Sequence, residues 1–295
     1  MQRAFIEVKE RFPFKGYMEP KLSKYYTVSS LLMEQLQRGA RILDIGCGPC
    51  DVSAILTKLG YKVTGIDDLR DPWHLIGRNR ERILKFAREF GIELITSPIE
   101  KAELEKESFD AVLLLDILEH VLKPRYLLNK ALSLLRAGGL LVVETPNAAM
   151  LAKRILLLLG KSNQTDLNFI LYNIGPYRSH IREYTSKEVK TLLEALLMTE
   201  VKIKMTNDAV NECASALLAR LPRLLMKLYG LVSDIYPNFR STIIAYGRKP
   251  QDWKPLDDLM ALARFKRIYS HIAKWNLDQE DDVNIIEKLK QLNEK

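Results

Sequence analysis

Residues Arg41 to Ser53 read RILDIGCGPCDVS. A short apolar run, Ile42, Leu43 and Ile45, leads into Gly46, and Gly48 follows two residues on. Leu56 and Leu59 then recur at helical spacing, so the stretch predicts a buried strand, a tight turn and a helix start. Glycine suits such a turn because it accepts positive φ and lets a ligand approach the bare backbone. The helix beyond it points its free N–H groups back at the turn. A dinucleotide fingerprint, G-x-G-x-x-G, requires glycine at position 51; this chain has Asp51. A carboxylate there suits the helix dipole but repels a pyrophosphate seeking the same place. The turn therefore favours a nucleoside-like ligand without phosphates. Asp67 ends a second apolar run, Tyr61 to Ile66, roughly 20 residues beyond the turn, where a carboxylate accepts a ribose hydroxyl.

Outward from this unit the sequence alternates strand and helix patterns. Strands are predicted near 40–45, 61–67, 92–96, 109–116 and 139–145, with helices between them, such as Ile76 to Phe90. A sixth strand near 201–205 and a seventh near 241–247 complete the set. Such alternation predicts an α/β fold with a mostly parallel sheet covered by helices on both faces. Ligands on such sheets bind at the carboxyl ends of the strands. Asp44, Gly46, Asp67, Asp116 and Glu144 all fall at or just past those ends, which argues for one shared site.

Several of these segments carry a family resemblance. LDIGCGPCD (43–51) followed by VTGIDD (63–68) resembles motifs I and II of Rossmann-like, class I S-adenosylmethionine-dependent methyltransferases. SFDAVLLLDILEHV (108–121) resembles motif IV, RAGGLLVVETPN (136–147) the fifth strand, and HIREYTSKEVKTLLEAL (180–196) the segment after the substrate insertion. The resemblance runs from about Ser23 to Lys249 in the family's order. The chain departs from it at Cys50, where many members have a third glycine, and at Pro98, where many have an aspartate.

The resemblance implies a seven-stranded Rossmann-like sheet that binds S-adenosyl-L-methionine and releases S-adenosyl-L-homocysteine. It implies cofactor contacts at Asp44, Gly46, Cys47, Gly48, Asp67, Asp68, Ile99, Glu100, Asp116 and Ile117. Asp67 would hold the ribose diol, and Ile99 and Glu100 the adenine end. DILEHV is similar to the segment of ubiquinone-biosynthesis O-methyltransferases in which two acids and a histidine hold a divalent cation, here Asp116, Glu119 and His120. The same histidine also fits a general base. In relatives the 180–184 segment borders the acceptor pocket. Strand-like alternation there would put His180, Arg182 and Tyr184 on one face, with Arg182 as an anion clamp and His180 as a proton acceptor. The expected reaction is methyl transfer to a small-molecule or lipid- or glycan-linked acceptor, at oxygen from the LEH similarity. A methyltransferase acting on RNA and a non-catalytic module that binds the cofactor are the alternatives.

Composition limits the setting. The chain has 295 residues and a net charge of +8. The basic residues are spread along it rather than gathered in one arm, as on a solvated surface. No uninterrupted aliphatic run approaches the ~20 residues of a membrane span. Cys47, Cys50 and Cys213 form no disulfide framework, so a reducing cytoplasm is expected.

Residues 1–39 are expected to form a helical lead-in that caps the site, with a helix over about 28–38 and Tyr25 and Tyr26 near the cofactor. The methyltransferase domain covers 40–249, interrupted by insertions at about 148–179 and 208–239. These form an apolar, basic-rimmed lid, suited to an amphipathic acceptor or to the membrane surface where one resides. The second insertion carries Arg220, Arg223 and Lys227. In the long loop after Asp67, Trp73 and His74 are candidates to cover the adenine or ribose. Residues 250–295 form a helical extension, a candidate oligomer contact. The CGPC run at 47–50 matches the redox motif of thioredoxins. A thiol–disulfide oxidoreductase leaves Asp44, Gly46, Asp67 and the 108–121 segment without a role.

Overall fold

The computed structural model describes residues 1–18, 22–173, 178–207, 223–269 and 282–293. The chain divides into two compact units, Met1–Trp253 and Lys254–Lys295. The first unit holds seven strands: β1 (Arg41–Ile45), β2 (Lys62–Ile66), β3 (Glu93–Ile95), β4 (Phe109–Leu115), β5 (Leu135–Pro146), β6 (Thr199–Thr206) and β7 (Thr242–Arg248). They form one sheet in the order β3-β2-β1-β4-β5-β7-β6. β7 runs antiparallel to both its neighbours, and the remaining pairings are parallel.

The described helices of this unit are α1 (Gln2–Arg11), α2 (Leu22–Gln35), α3 (Asp51–Lys58), α4 (Pro72–Leu75), α5 (Asn79–Glu89), α6 (Pro124–Leu134), α7 (Leu151–Leu158), α8 (Leu167–Leu171), α9 (Ser186–Ala195) and α10 (Arg223–Ile235). They cover the sheet on both faces. The second unit holds α11 (Asp258–Tyr269) and α12 (Asp282–Asn293). No described helix is long and apolar enough to cross a membrane.

The sequence explains the central strands. β4, FDAVLLL, is an almost unbroken apolar run, and all but Asp110 are buried; a strand covered on both faces reads this way. α9 starts on a capping box. The Thr185 hydroxyl accepts from the Glu188 amide at 3.3 Å, and the Glu188 carboxylate accepts from the Thr185 amide at 2.8 Å. This satisfies two otherwise orphaned donors.

Some element bounds differ from expectation. The Ile76–Phe90 helix begins only at Asn79, because Gly77 sits at φ +56° and separates it from the four-residue α4. The lead-in helix starts at Leu22 rather than near Val28. Of the second insertion, residues 208–222, with Arg220, lie outside the described residues, and α10 follows from Arg223.

The sheet fixes where a ligand can sit. The chain runs from β1 outward to β2 and β3, then returns to place β4 on the other side of β1. The strand order reverses there, and a crevice opens at the carboxyl ends of β1 and β4.

Candidate active site

The crevice is a cleft of about 550 Å³ whose walls include the ends of β1, β2 and β4, the loops after β2 and β3, and Lys24 of α2. Its turn is built as the sequence implies. Gly46 has φ +71°, and a Cβ there would overlap Ile117 Cδ1 and Cγ1. Gly48 has φ +50°, and a Cβ there would meet nothing within 4 Å among the described residues. The first glycine is needed for packing, and the second leaves open space beside the cleft. Cys50, where the resemblance leads one to expect a third glycine, also takes left-handed backbone, at φ +65°.

Two carboxylates brace this turn. Asp44, 1% exposed, accepts from the Ser53 hydroxyl at 2.6 Å. Burial raises its carboxyl to about 6. Asp67 accepts from the Gly48 amide through Oδ2 at 3.0 Å and from the Leu69 amide through Oδ1 at 2.7 Å. Burial pushes Asp67 upward, and those two amides pull it part of the way back. Tyr25 does not line the cleft; its hydroxyl donates to Asp51 at 2.5 Å and ties α2 to the start of α3. Tyr26 packs on Phe5.

The other cofactor candidates fall on the same wall or its rim. Cys47, Asp68, Ile99, Glu100, Asp116 and Ile117 all line the cleft, with Pro98 between the β3 end and Ile99. Asp68 is held by Arg178 through two contacts, at 2.7 and 3.0 Å, and Arg178 also reaches Asp71 at 3.2 Å. Arg178 lies at the end of the first insertion, so the insertion is tied to the loop after β2. This guanidinium holds Asp68 below the usual carboxylate range.

Lys24 of α2 reaches the cleft without a motif to announce it. It is 6% exposed and pairs with Asp116 at 2.6 Å and Glu144 at 2.7 Å. Burial alone would pull its ammonium down, but the two carboxylates outweigh that and hold it charged. The visible signal was a lone lysine beside a buried tyrosine on a helix otherwise rich in apolar and hydroxyl residues. Replacing Lys24 by methionine leaves Glu144 buried without its cation. We expect a loss of about 3 kcal/mol in denaturant unfolding; an unchanged midpoint would contradict the buried Lys24–Glu144 pair.

The LEH segment builds a second cluster. Glu119 is fully buried, and its Oε2 accepts from the Thr145 hydroxyl at 2.9 Å. Burial first, and then the charge of Asp116, raises it well above its ordinary value. Its Oε1 lies 4.0 Å from Nε2 of both His120 and His180, whose rings meet edge to face at 4.9 Å. Glu183 pairs with His180 Nδ1 at 2.9 Å and with Lys153 on its other oxygen. His180 is lowered to about 4, by burial first and then by the charge of His120. His120 itself lines the cleft.

The metal set that the resemblance implies does not assemble. The Asp116 carboxylate is engaged by the Lys24 ammonium, while Glu119, His120 and His180 bring their ligand-capable atoms within 4.8 Å of one another. The expected face of His180, Arg182 and Tyr184 is also absent. The amides of Ile181 and Arg182 both donate to the Glu119 carbonyl, at 2.8 and 3.2 Å, so the backbone turns instead of extending. His180 faces His120. Arg182 points outward to Glu188 at 2.6 Å, and Tyr184 is buried under it. Neither Arg182 nor Tyr184 lines the cleft.

A seven-stranded sheet of this order, with a glycine turn at its switch point and an acidic residue closing the next strand, is the architecture of class I methyltransferases. A family model described as a methyltransferase domain matches residues 15–196, more than half of the chain. The chain belongs to this methyltransferase-domain family, whose cofactor is S-adenosylmethionine.

Ubiquinone biosynthesis O-methyltransferases from Caulobacter sp. strain K31 and Methylocella silvestris are 34% and 32% identical to it over 117 and 141 residues. These matches cover 39% and 46% of this chain, and 44% and 52% of those proteins. The chain thus spans about half the length of the curated relatives it matches. Among solved structures, phosphoethanolamine N-methyltransferase 2 of Haemonchus contortus, in complex with S-adenosyl-L-methionine, has a TM-score of 0.52 at 14% identity, over 83% of this chain and 57% of that one. The YcgJ protein of Bacillus subtilis gives 0.51 at 15% identity, over 77% and 99%. Both likenesses concern the fold.

Proposed function

We propose that this protein transfers a methyl group from S-adenosylmethionine to an oxygen of a small or lipid-linked acceptor. The observation that carries the proposal is the charge of the cleft. Among its described lining residues, Asp44, Asp51, Asp67, Asp68, Asp71, Glu100 and Asp116 face only two side-chain cations, Lys24 and Arg178. Such a wall attracts a ligand bearing a sulfonium and an ammonium, and repels phosphates. The same acidity disfavours an RNA substrate, whose backbone needs a basic track.

The bound cofactor supplies an activated methyl on sulfur. The protein's residues supply the rest. Gly46 and Gly48 give backbone for close approach, Asp44 offsets positive charge, and Asp67 takes the ribose hydroxyls. Ile99 and Glu100 border the adenine end. His120 stands on the cleft wall as the base for the acceptor hydroxyl. His180, held by Glu183, packs against it and keeps its ring in place.

A second reading has the close approach of Glu119, His120 and His180 in its favour: a divalent cation held by these three. Chelation followed by zinc or magnesium add-back separates the two, because the histidine-base reading requires undiminished turnover after chelation.

The oxygen acceptor draws support from the printed names of the Caulobacter and Methylocella relatives. An apolar acceptor draws it from the first insertion, where Leu157, Leu158, Phe169, Ile170, Leu171 and Tyr172 are all exposed. The insertion is correspondingly assigned to contact with a membrane surface. A cytoplasmic setting fits Cys47 and Cys50, which are free and buried. The tail beyond Trp253 exposes Leu259, Phe265, Val283 and Leu289 and is our candidate for self-association. A thiol oxidoreductase is disfavoured. The neighbouring Cys50 thiol and then burial push Cys47 upward, so it lacks the thiolate such chemistry needs.

Asp44 makes the cofactor reading testable by pH. Its folded-state value of about 6 lies above the ordinary 3.8. Its contribution to stability is therefore full below about pH 4 and is lost as pH rises through 6. A cationic ligand has the opposite preference, because it needs the carboxylate ionised. S-adenosylmethionine affinity measured by calorimetry should rise between pH 5 and 7, by up to about tenfold per unit, and Asp44→Asn should flatten that profile. An equally steep profile in Asp44→Asn would remove Asp44 from the site. The acceptor is sought with radiolabelled cofactor and cell extract fractionated into lipids, small metabolites, RNA and protein. Label confined to RNA or protein would refute the proposed acceptor class.

A further inference from the structure

The loop after β2 carries a buried polar side chain, His74, that the sequence offers only as a cover for the adenine or ribose. His74, in the four-residue α4, is 2% exposed, lines the cleft, and has no hydrogen-bond partner for either ring nitrogen among the described residues. Buried polar groups are nearly always satisfied, so each exception needs an explanation. The ring is also held firmly. Its own amide donates to the Asp71 carbonyl at 2.9 Å, and it lies 4.2 Å from Trp73. Trp73 in turn packs on Phe14 and Tyr17, and its carbonyl accepts from Asn79 at 2.7 Å. The Arg178 bridge to Asp68 and Asp71 steadies the same loop from the insertion side.

We propose that His74 is a cofactor-binding residue, hydrogen-bonding the ribose hydroxyls alongside Asp67. The chemistry of a ribose diol calls for such a partner. Each hydroxyl both donates and accepts. Asp67 accepts only, and each of its oxygens already takes one backbone amide. An imidazole brings one N–H and one acceptor nitrogen, which complements the diol. Burial lowers His74 despite the charges of Asp67, Asp71 and Asp68, so the ring is uncharged at neutral pH. Asp67 and His74 both line the cleft.

The proposal rests on Asp67 as the ribose contact, and the test separates the two. Calorimetry would compare S-adenosylhomocysteine with its 2′-deoxy and 3′-deoxy analogues, on the parent, His74→Ala, His74→Gln and Asp67→Ala. Thermal unfolding without ligand monitors the fold. The parent should prefer the full ribose by about tenfold over at least one analogue. His74→Ala should bind the full ribose about tenfold more weakly and lose that preference, with His74→Gln retaining part of it. An unchanged preference in His74→Ala overturns the proposal. Asp67→Ala binding like the parent overturns the Asp67 assignment instead. If neither His74 variant folds, ring nitrogen-15 signals of His74 in the parent decide. They should shift with S-adenosylhomocysteine and much less with the deoxy analogue; equal shifts overturn the proposal.

Discussion

Replacing Gly46 by alanine is expected to abolish cofactor binding and to destabilise the fold by about 2–4 kcal/mol. Two independent features produce this. The residue holds φ +71°, which an L side chain adopts only with strain. Its Cβ would also overlap Ile117, on the segment that carries Asp116 and leads into Glu119 and His120. Relief of that overlap turns the Ile117 side chain on the cleft wall or shifts the turn itself. Moving the turn breaks the hydrogen bond that the Gly46 amide donates to the Ile66 carbonyl at 2.7 Å, just past the paired ends of β1 and β2. Gly48→Ala is the informative comparison. It has the positive φ without the overlap, so its cost should be nearer 1 kcal/mol. Calorimetry with S-adenosylhomocysteine and denaturant unfolding read both quantities. Gly46→Ala binding within threefold of the parent would show that the turn tolerates a side chain, against this account.

Removing the imidazole of His120 should cost roughly 10²–10⁴ in the rate of methyl transfer, with S-adenosylhomocysteine affinity within about threefold of the parent. The reason is location. His120 is the histidine of the Glu119–His120–His180 cluster that lines the cleft. The Glu119 beneath it is fully buried, and burial raises its carboxyl well above the ordinary value. His180→Ala should cost less, because it acts on the acceptor through its packing against His120. Arg182→Ala and Tyr184→Phe should leave turnover nearly unchanged, since Arg182 pairs outward with Glu188 and Tyr184 lies buried away from the cleft. Single-turnover transfer from radiolabelled cofactor measures each case. A His120→Ala rate within tenfold of the parent would move the base elsewhere.

The sheet was legible because its evidence is local. Apolar runs such as FDAVLLL, and glycines where the chain must turn, are written in consecutive residues. Asp44, Gly46 and Asp67 were legible for the same reason, each closing a strand or opening a turn. Long-range contacts were not. Lys24 meets Asp116 from 92 residues away, and Arg178 meets Asp68 from 110. Both pairings depend on how α2 and the insertion fold over the sheet. The alternation at 180–184 misled because the Glu119 carbonyl captures two successive amides, a constraint carried by a residue about 60 positions upstream. His74 was visible as a loop aromatic, but its burial, and its nitrogens' lack of a partner among the described residues, exist only in three dimensions.

A sulfonium nucleoside should lie in the turn at Gly46 with its sugar on Asp67. A crystal structure with S-adenosylhomocysteine tests it most directly. It should show ribose hydroxyls on the Asp67 carboxylate and the amino-acid end beside Asp44 and Gly46. A ligand bound elsewhere with this crevice empty, or an NAD soak that seats the dinucleotide there instead, would contradict it.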